Sequence, residues 1–227
     1  MPVAPTTGAV WTVVVAGGGG TRFGGAKQYT ELAGRRVLDW SVAAAVGVSD
    51  GVVVVLPTAD TDDPGHTVPG VDAVVAGGAT RAESVRAGLA AVPDAVQIVL
   101  VHDAARPAAS SALFARVVAA VADGADAVVP GVAVTDTLRR RTGGVVDRDE
   151  LVAVQTPQGF RRAVLRSAHA SGADATDDAT LAEQVGFTVD VVEGEATNTK
   201  LTHAADAAAL DSVLASRAGV AAPGGTS

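Results

Sequence analysis

Val10-Trp-Thr-Val-Val-Val-Ala-Gly-Gly-Gly-Gly-Thr-Arg-Phe-Gly-Gly-Ala-Lys27 is the stretch whose reading decides the fold. Its first part, Val10–Ala16, is an apolar run that ends in glycines. Such a run suits a strand buried on both faces. Val52–Leu56, Ala73–Val75, Ile98–Val101 and Ala127–Val129 have the same character. Helical patterns lie between them, at about Leu38–Val46, Arg81–Ala91 and Ser111–Ala122. Strand and helix alternate, which predicts an α/β chain with a Rossmann-like, mostly parallel sheet and helices on both faces. Ligands of such sheets bind outside the carboxyl ends of the strands, and the polar motifs of this sequence fall there.

The alternation breaks after Pro130. Val132–Thr137 and Gly144–Val154 read as extended segments around the Arg139–Gly144 turn, a protruding β-arm spanning about 132–155. Arms of this kind often swap onto a partner subunit. Helices at Arg161–Ala170 and Asp177–Val185, a strand at Thr188–Val192 and a helix at Ala204–Ala215 follow. No internal repeat or linker is evident. The expected organisation is one domain over 8–218 plus the arm, with disordered tails at 1–7 and 219–227.

The 227 residues contain no cysteine, which removes disulfides, thiolate zinc sites and a cysteine nucleophile. It also favours a reducing, cytoplasmic compartment. No apolar run approaches the roughly 20 residues of a membrane helix. The net charge of −8 argues against nucleic acid as the main partner. Arg139-Arg140-Arg141, the one dense basic run, reads as a solvated turn. Of the 17 basic residues only Lys27 and Lys200 are lysines, and Asn198 is the only asparagine. A compact ammonium and a planar guanidinium are not interchangeable, so two lysines in an arginine-rich chain mark positions where a point charge is wanted.

The loop after Val10–Ala16 carries six glycines and two cations, Arg22 and Lys27. Glycines let the backbone approach a ligand and turn its N–H groups toward an anion. A P-loop would need Ser or Thr after the lysine, and Gln28 stands there. The dinucleotide fingerprint has no use for the two cations. The loop therefore reads as a triphosphate cradle, with Ala16, Gly17, Gly18 and Gly20 as backbone contacts. Val101-His-Asp-Ala-Ala-Arg-Pro107 follows another buried strand. Asp103 there suits Mg²⁺ and Arg106 suits a phosphate, while a local Asp–Arg pair tying down the turn explains them equally well. His102 reads as structural. Ala76-Gly-Gly-Ala-Thr-Arg-Ala-Glu-Ser84 reads as a turn capped by Thr80 with Glu83, compatible with lining a pocket through Gly78, Arg81 and Ser84. No serine-type triad or histidine cluster for zinc is present. Asp60-Thr-Asp62 resembles a metal motif of sugar transferases, but sits in a Pro/Gly/Asp loop rather than tight against a strand.

Taken in order, these motifs resemble the 2-C-methyl-D-erythritol 4-phosphate cytidylyltransferase family, the CTP-using enzymes of the non-mevalonate isoprenoid pathway. The resemblance runs from about Val13 to Asp206. It includes Lys27-Gln-Tyr29, Gly77–Ser84, His102–Pro107, Val134-Thr-Asp-Thr137, Asp147-Arg148, Gln155-Thr-Pro-Gln158, Thr176-Asp-Asp178 and Asn198-Thr-Lys-Leu-Thr202. Ala26 departs from the family's proline, and the loop is short between Phe23 and Lys27.

The resemblance implies that Arg22 and Lys27 stabilise charge on the α-phosphate and departing pyrophosphate. It implies that Gly18, Gly78, Ser84 and the Ala104 region hold the cytidine, and that Asp103 lies near Mg²⁺ and the ribose. Arg106, Thr176 and Lys200 would face methylerythritol phosphate. Thr137 and the catalytic Arg148 would reach from the arm into the partner's site of a homodimer. Two other readings stay open from the residues alone: a cytidylyltransferase for another polyol phosphate such as ribitol 5-phosphate, and a non-catalytic nucleotide-binding regulator.

Overall fold

In the computed structural model, residues 8–18 and 23–219 are described. The expected tails therefore lie outside the described residues, except Gly219, which closes a turn. The chain begins with β1 (Val10–Val15), then a small hairpin of β2 (Glu31–Leu32) and β3 (Arg35–Arg36). α1 (Val37–Val46), β4 (Gly51–Leu56), β5 (Ala73–Ala76), α2 (Arg81–Ala90), β6 (Ile98–Asp103), α3 (Ser111–Ala122) and β7 (Ala127–Ala133) follow. β8 (Leu138–Arg139), β9 (Val145–Val146), β10 (Val152–Val154) and β11 (Gln158–Arg161) come next. The chain ends with α4 (Arg162–His169), α5 (Asp178–Gln184), β12 (Val189–Glu193) and α6 (Asp206–Arg217).

The valine runs behave as their composition dictates. All six residues of β4 and of β6 are buried. β1 lies between them, parallel to both, and β5 extends the sheet parallel to β4. Side chains alternate across the sheet with period two. Val13, Val53, Val55, Val99 and Val101 pack with residues of α2, α4 and α5. Val14, Val52, Val54, Leu56 and Leu100 pack on the other face with α1 and α3. Helix starts follow local chemistry. The Thr80 hydroxyl and Glu83 carboxylate form the expected capping box of α2, while Ser110 and Asp177 cap α3 and α5.

The β2–β3 hairpin is not among the sequence expectations, and one strand of the main sheet also departs from them. Gln158–Arg161 is β11, inserted antiparallel between β6 and β7, so that α4 begins only at Arg162. β10 also belongs to the main sheet, antiparallel to β7, and β12 pairs parallel to β7. The projecting part of the arm is thus the β8–β9 hairpin, turned at Gly143 and Gly144 with φ of 105° and 82°. Left-handed backbone of this kind favours glycine.

Candidate functional site

The register of β1 on β6 pairs Val15 with Asp103, so the Gly-rich loop and the His-Asp-Ala-Ala-Arg turn leave the sheet side by side. A cavity of about 320 Å³ opens there, lined by Ala16, Gly17, Gly18, Lys27, Gln28, Gly78–Arg81, Ser84, Asp103, Ala104, Ala105 and Lys200. A larger cavity, about 440 Å³, lies at the opposite ends of the strands around Ile98, Arg161 and Arg166. No sequence motif falls on it, and convergence of motifs rather than volume marks the first.

The glycine wall is built tightly. A Cβ on Gly78 would stand 2.3 Å from the Glu83 Cβ, inside the capping box of α2. The Gly78 N–H donates to Ser84 Oγ (3.2 Å), whose hydroxyl donates to the Thr80 carbonyl (3.0 Å). A Cβ on Gly18, in contrast, would meet nothing within 4 Å.

Both lysines of the chain arrive at this cavity from its two ends. Lys27 Nζ donates to the Leu201 carbonyl at 3.0 Å. Lys200 Nζ donates to Asp103 Oδ2 at 2.6 Å. Asp103 Oδ1 accepts from Arg81 Nε at 3.1 Å, and Arg81 Nη1 reaches on to Asp178 Oδ2 at 2.7 Å. Burial by itself would raise the Asp103 carboxyl. The Arg81 and Lys200 charges outweigh it and hold the group well below the usual carboxylate range. Burial likewise opposes the charge of Arg81, but Asp178 and Asp103 together raise its affinity for the proton. The site thus presents fixed cations and one permanent anion around an open space.

The local Asp103–Arg106 pair is not formed through side chains. Arg106 donates to the backbone carbonyls of Asn198 (2.8 Å) and Val154 (3.3 Å), tying the turn to the last loop. His102 is fully buried, which pushes its imidazole down to about 4, and its Nδ1 lies 3.1 Å from Thr156 Oγ1. It is a neutral structural residue. The same Thr156 oxygen accepts from the Asp103 N–H (3.1 Å).

Comparison with known proteins decides the assignment. The family model described as "IspD: 2-C-methyl-D-erythritol 4-phosphate cytidylyltransferase" matches residues 10–216. The chain belongs to this family. The bifunctional enzyme IspD/IspF of Nitratidesulfovibrio vulgaris is 43% identical over 226 residues, covering 88% of this chain and 57% of that protein. The corresponding protein of Clavibacter michiganensis subsp. michiganensis is 42% identical, covering 96% and 59%. The chain therefore spans little more than half the length of these curated relatives. The crystal structure of 2-C-methyl-D-erythritol 4-phosphate cytidylyltransferase from Thermus thermophilus superposes with a TM-score of 0.76 at 38% identity, covering 89% of this chain and 97% of that one.

The remaining family positions fall into three groups. Gly20 and Arg22 lie outside the described residues. Thr137 and Arg148 are exposed on the arm, away from the cavity of their own chain, and Arg148 Nη1 donates to the Thr135 carbonyl. Thr176 is exposed in the bend before α5, and neither it nor the half-buried Arg106 is among the residues that line the cavity. Ala26, in place of the family's proline, has φ −71° and ψ 77° at the start of a single 3₁₀ turn over Lys27–Tyr29. That turn is pinned by Tyr29, whose hydroxyl donates to Asp60 Oδ2 (2.8 Å) and whose ring stacks on His66 at 3.9 Å. Asp60 thus has a structural partner. Sequence reasoning gave no role to Asp178, fully buried behind Arg81, nor to Thr156. The only signal for Asp178 was its place in Thr176-Asp-Asp178.

Proposed function

We propose that this chain transfers the CMP group of CTP to 2-C-methyl-D-erythritol 4-phosphate, giving 4-diphosphocytidyl-2-C-methyl-D-erythritol and pyrophosphate. The observation that carries this reading is the convergence of Lys27, Lys200, Arg81 and Asp103 on one cavity beside the Gly-rich loop. An oxygen of the acceptor phosphate attacks the α-phosphorus in line, and the bond from that phosphorus to the bridging β-oxygen breaks. The acceptor is already an anion, so no base is required. What the reaction needs is positioning and charge neutralisation. Lys27 and Arg22 stabilise the α-phosphate and the leaving pyrophosphate. Ala16, Gly17, Gly18, Gly20, Gly78, Ser84 and Ala104 shape the cytidine side. Lys200, Arg106 and Thr176 take the acceptor side.

Mg²⁺ fits this donor set as a partner of the triphosphate. Among the described residues no three His, Asp or Glu side chains cluster to form a protein cage. Asp103 is one ionised carboxylate at the cavity wall, and each oxygen keeps a lone pair beyond its bond to Arg81 or Lys200. Mg²⁺ commonly takes one or two carboxylates plus substrate phosphates, and bound so it neutralises phosphate charge.

The working unit we propose is one nucleotidyltransferase domain, paired as a homodimer through the arm, with Thr137 and Arg148 completing the partner's site. Val145, Leu151, Val152, Val154 and Val191 are exposed on or beside the arm, an apolar band of the kind that marks an interface. We place the enzyme in the cytoplasm, in keeping with a chain without cysteine. No helix among the described residues is long and apolar enough to cross a membrane. The transfer is tested by isotope position. Label in the α-phosphate of CTP is expected in the diphosphate product, and label in the γ-phosphate in pyrophosphate. Release of γ-label as orthophosphate, or α-label in free CMP alone, would refute it.

A further inference from the structure

Asp178 opens α5 and is fully buried, and it stands off the cavity wall. Both of its oxygens are engaged. Oδ2 accepts from Arg81 Nη1 at 2.7 Å, and Oδ1 lies 2.9 Å from Nε2 of the buried His169. Arg81 continues to Asp103 Oδ1 (3.1 Å), and Asp103 Oδ2 holds Lys200 (2.6 Å). A contiguous chain therefore runs His169–Asp178–Arg81–Asp103–Lys200. It starts on α4 and ends on the last loop of the site.

We infer that Asp178, braced by His169, is a positioning residue for nucleotidyl transfer: it fixes Arg81 so that Asp103 keeps one oxygen for Lys200. The inference rests on the transfer reading above. Its physical basis is the shape of the guanidinium, a planar fork that matches both oxygens of one carboxylate. Here the fork is divided, Nη1 to Asp178 and Nε to Asp103. Without the Asp178 charge, Asp103 is the one carboxylate left to Arg81. The favoured geometry is then bidentate on Asp103, which displaces Lys200. Apart from Arg81, the Gly78–Ser84 wall is held by the α2 capping box and the Ser84 hydroxyl rather than by Asp178, so nucleotide binding persists.

The fold of α5 does not by itself call for this arrangement. Asp177 already caps the helix through the Thr180 N–H (2.9 Å), and Ala179, Leu181 and Ala182 bury its apolar side. Buried ion pairs are often no more stabilising than apolar residues of similar volume. A buried acid aimed at a cavity-lining arginine is better explained by what that arginine must do.

The test compares wild type, Asp178→Asn, Asp178→Glu, His169→Phe, Lys200→Ala and the double variants with Lys200→Ala. Turnover with CTP and methylerythritol phosphate is normalised to folded protein, and CTP affinity is measured separately by calorimetry. For Asp178→Asn, kcat is expected to fall on the order of 10- to 100-fold, the scale of a misplaced catalytic group, with CTP affinity within about threefold. Asp178→Glu recovers most of the rate, and His169→Phe shows a smaller loss of the same kind. In the background of Lys200→Ala, neither Asp178→Asn nor His169→Phe lowers kcat further, because they act through that lysine.

Wild-type kcat in Asp178→Asn, additive losses with Lys200→Ala, or CTP affinity falling in step with kcat would overturn the inference. If Asp178→Asn does not fold, the His169→Phe cycle with Lys200→Ala decides by the same criteria. A wild-type enzyme that binds CTP but gives no turnover would instead refute the transfer reading.

Discussion

Gly78 has no room for a side chain, and the reason lies in the capping box beside it. An added Cβ collides with Glu83, whose Oε2 accepts from the Ala79 (2.6 Å) and Thr80 (3.2 Å) N–H groups. Gly78→Ala is expected to cost about 1–2 kcal/mol, the size of a lost cap, and to weaken CTP binding by moving the wall. A thermal melt with a calorimetric CTP titration checks both. Lys27→Ala is expected to lower kcat/KM on the order of 100-fold or more, since in the proposed transfer the lost ammonium acts where charge develops. The titrating residues give a signed pH dependence. Buried His102 binds its proton only near pH 4, whereas the unfolded chain binds it near 6.5. The unfolded state therefore takes up a proton first, and stability falls as pH drops from about 6.5 to about 4. His102→Gln should flatten that part of a denaturation-midpoint profile. Asp103, held low by Arg81 and Lys200, contributes stability that is present above the ordinary carboxylate value and lost only in stronger acid.

At the scale of elements, the loop entry is open to a simple test. Ala26 already has φ −71°, which a proline ring accepts. Ala26→Pro is expected to stabilise the protein by about 0.4–1 kcal/mol by narrowing the unfolded chain's freedom, with CTP turnover retained. A lower melting temperature would mean that the turn needs the Ala26 N–H. The elements also divide by how visible they were. Strands β1, β4, β6 and β7 showed as valine runs because burial on both faces demands them, whereas β5, which reads the same in sequence, is a half-exposed edge strand. β11 did not show. Gln158-Gly-Phe-Arg161 has one large apolar side chain, and its strand conformation is imposed by β6 and β7 on either side. Gly159 is needed there because a Cβ would strike Val117 at 2.5 Å. The cavity residues were legible where a motif follows a strand directly, as Asp103 and Gly78 do. Asp178 was not, because its partners Arg81 and His169 lie 97 and 9 residues away in sequence and meet it only in the folded packing.

For the whole molecule, one chain supplies the glycine wall of the cavity and both lysines, while Thr137 and Arg148 are exposed on the arm and do not line it. Catalysis is therefore expected to depend on the dimer. Val152→Asp together with Val154→Asp should yield monomers by light scattering, which still bind CTP but turn over at least about tenfold more slowly, given that misplacing one catalytic group costs up to about 100-fold. Full activity in a monomer would remove the arm from the reaction. The central claim concerns which phosphate accepts the nucleotidyl group. Its most direct measurement is pyrophosphate release with CTP and Mg²⁺ across a panel of acceptors that includes methylerythritol 4-phosphate and ribitol 5-phosphate. The account predicts the highest kcat/KM with methylerythritol 4-phosphate. Preference for ribitol 5-phosphate, or no pyrophosphate with any acceptor, would contradict it.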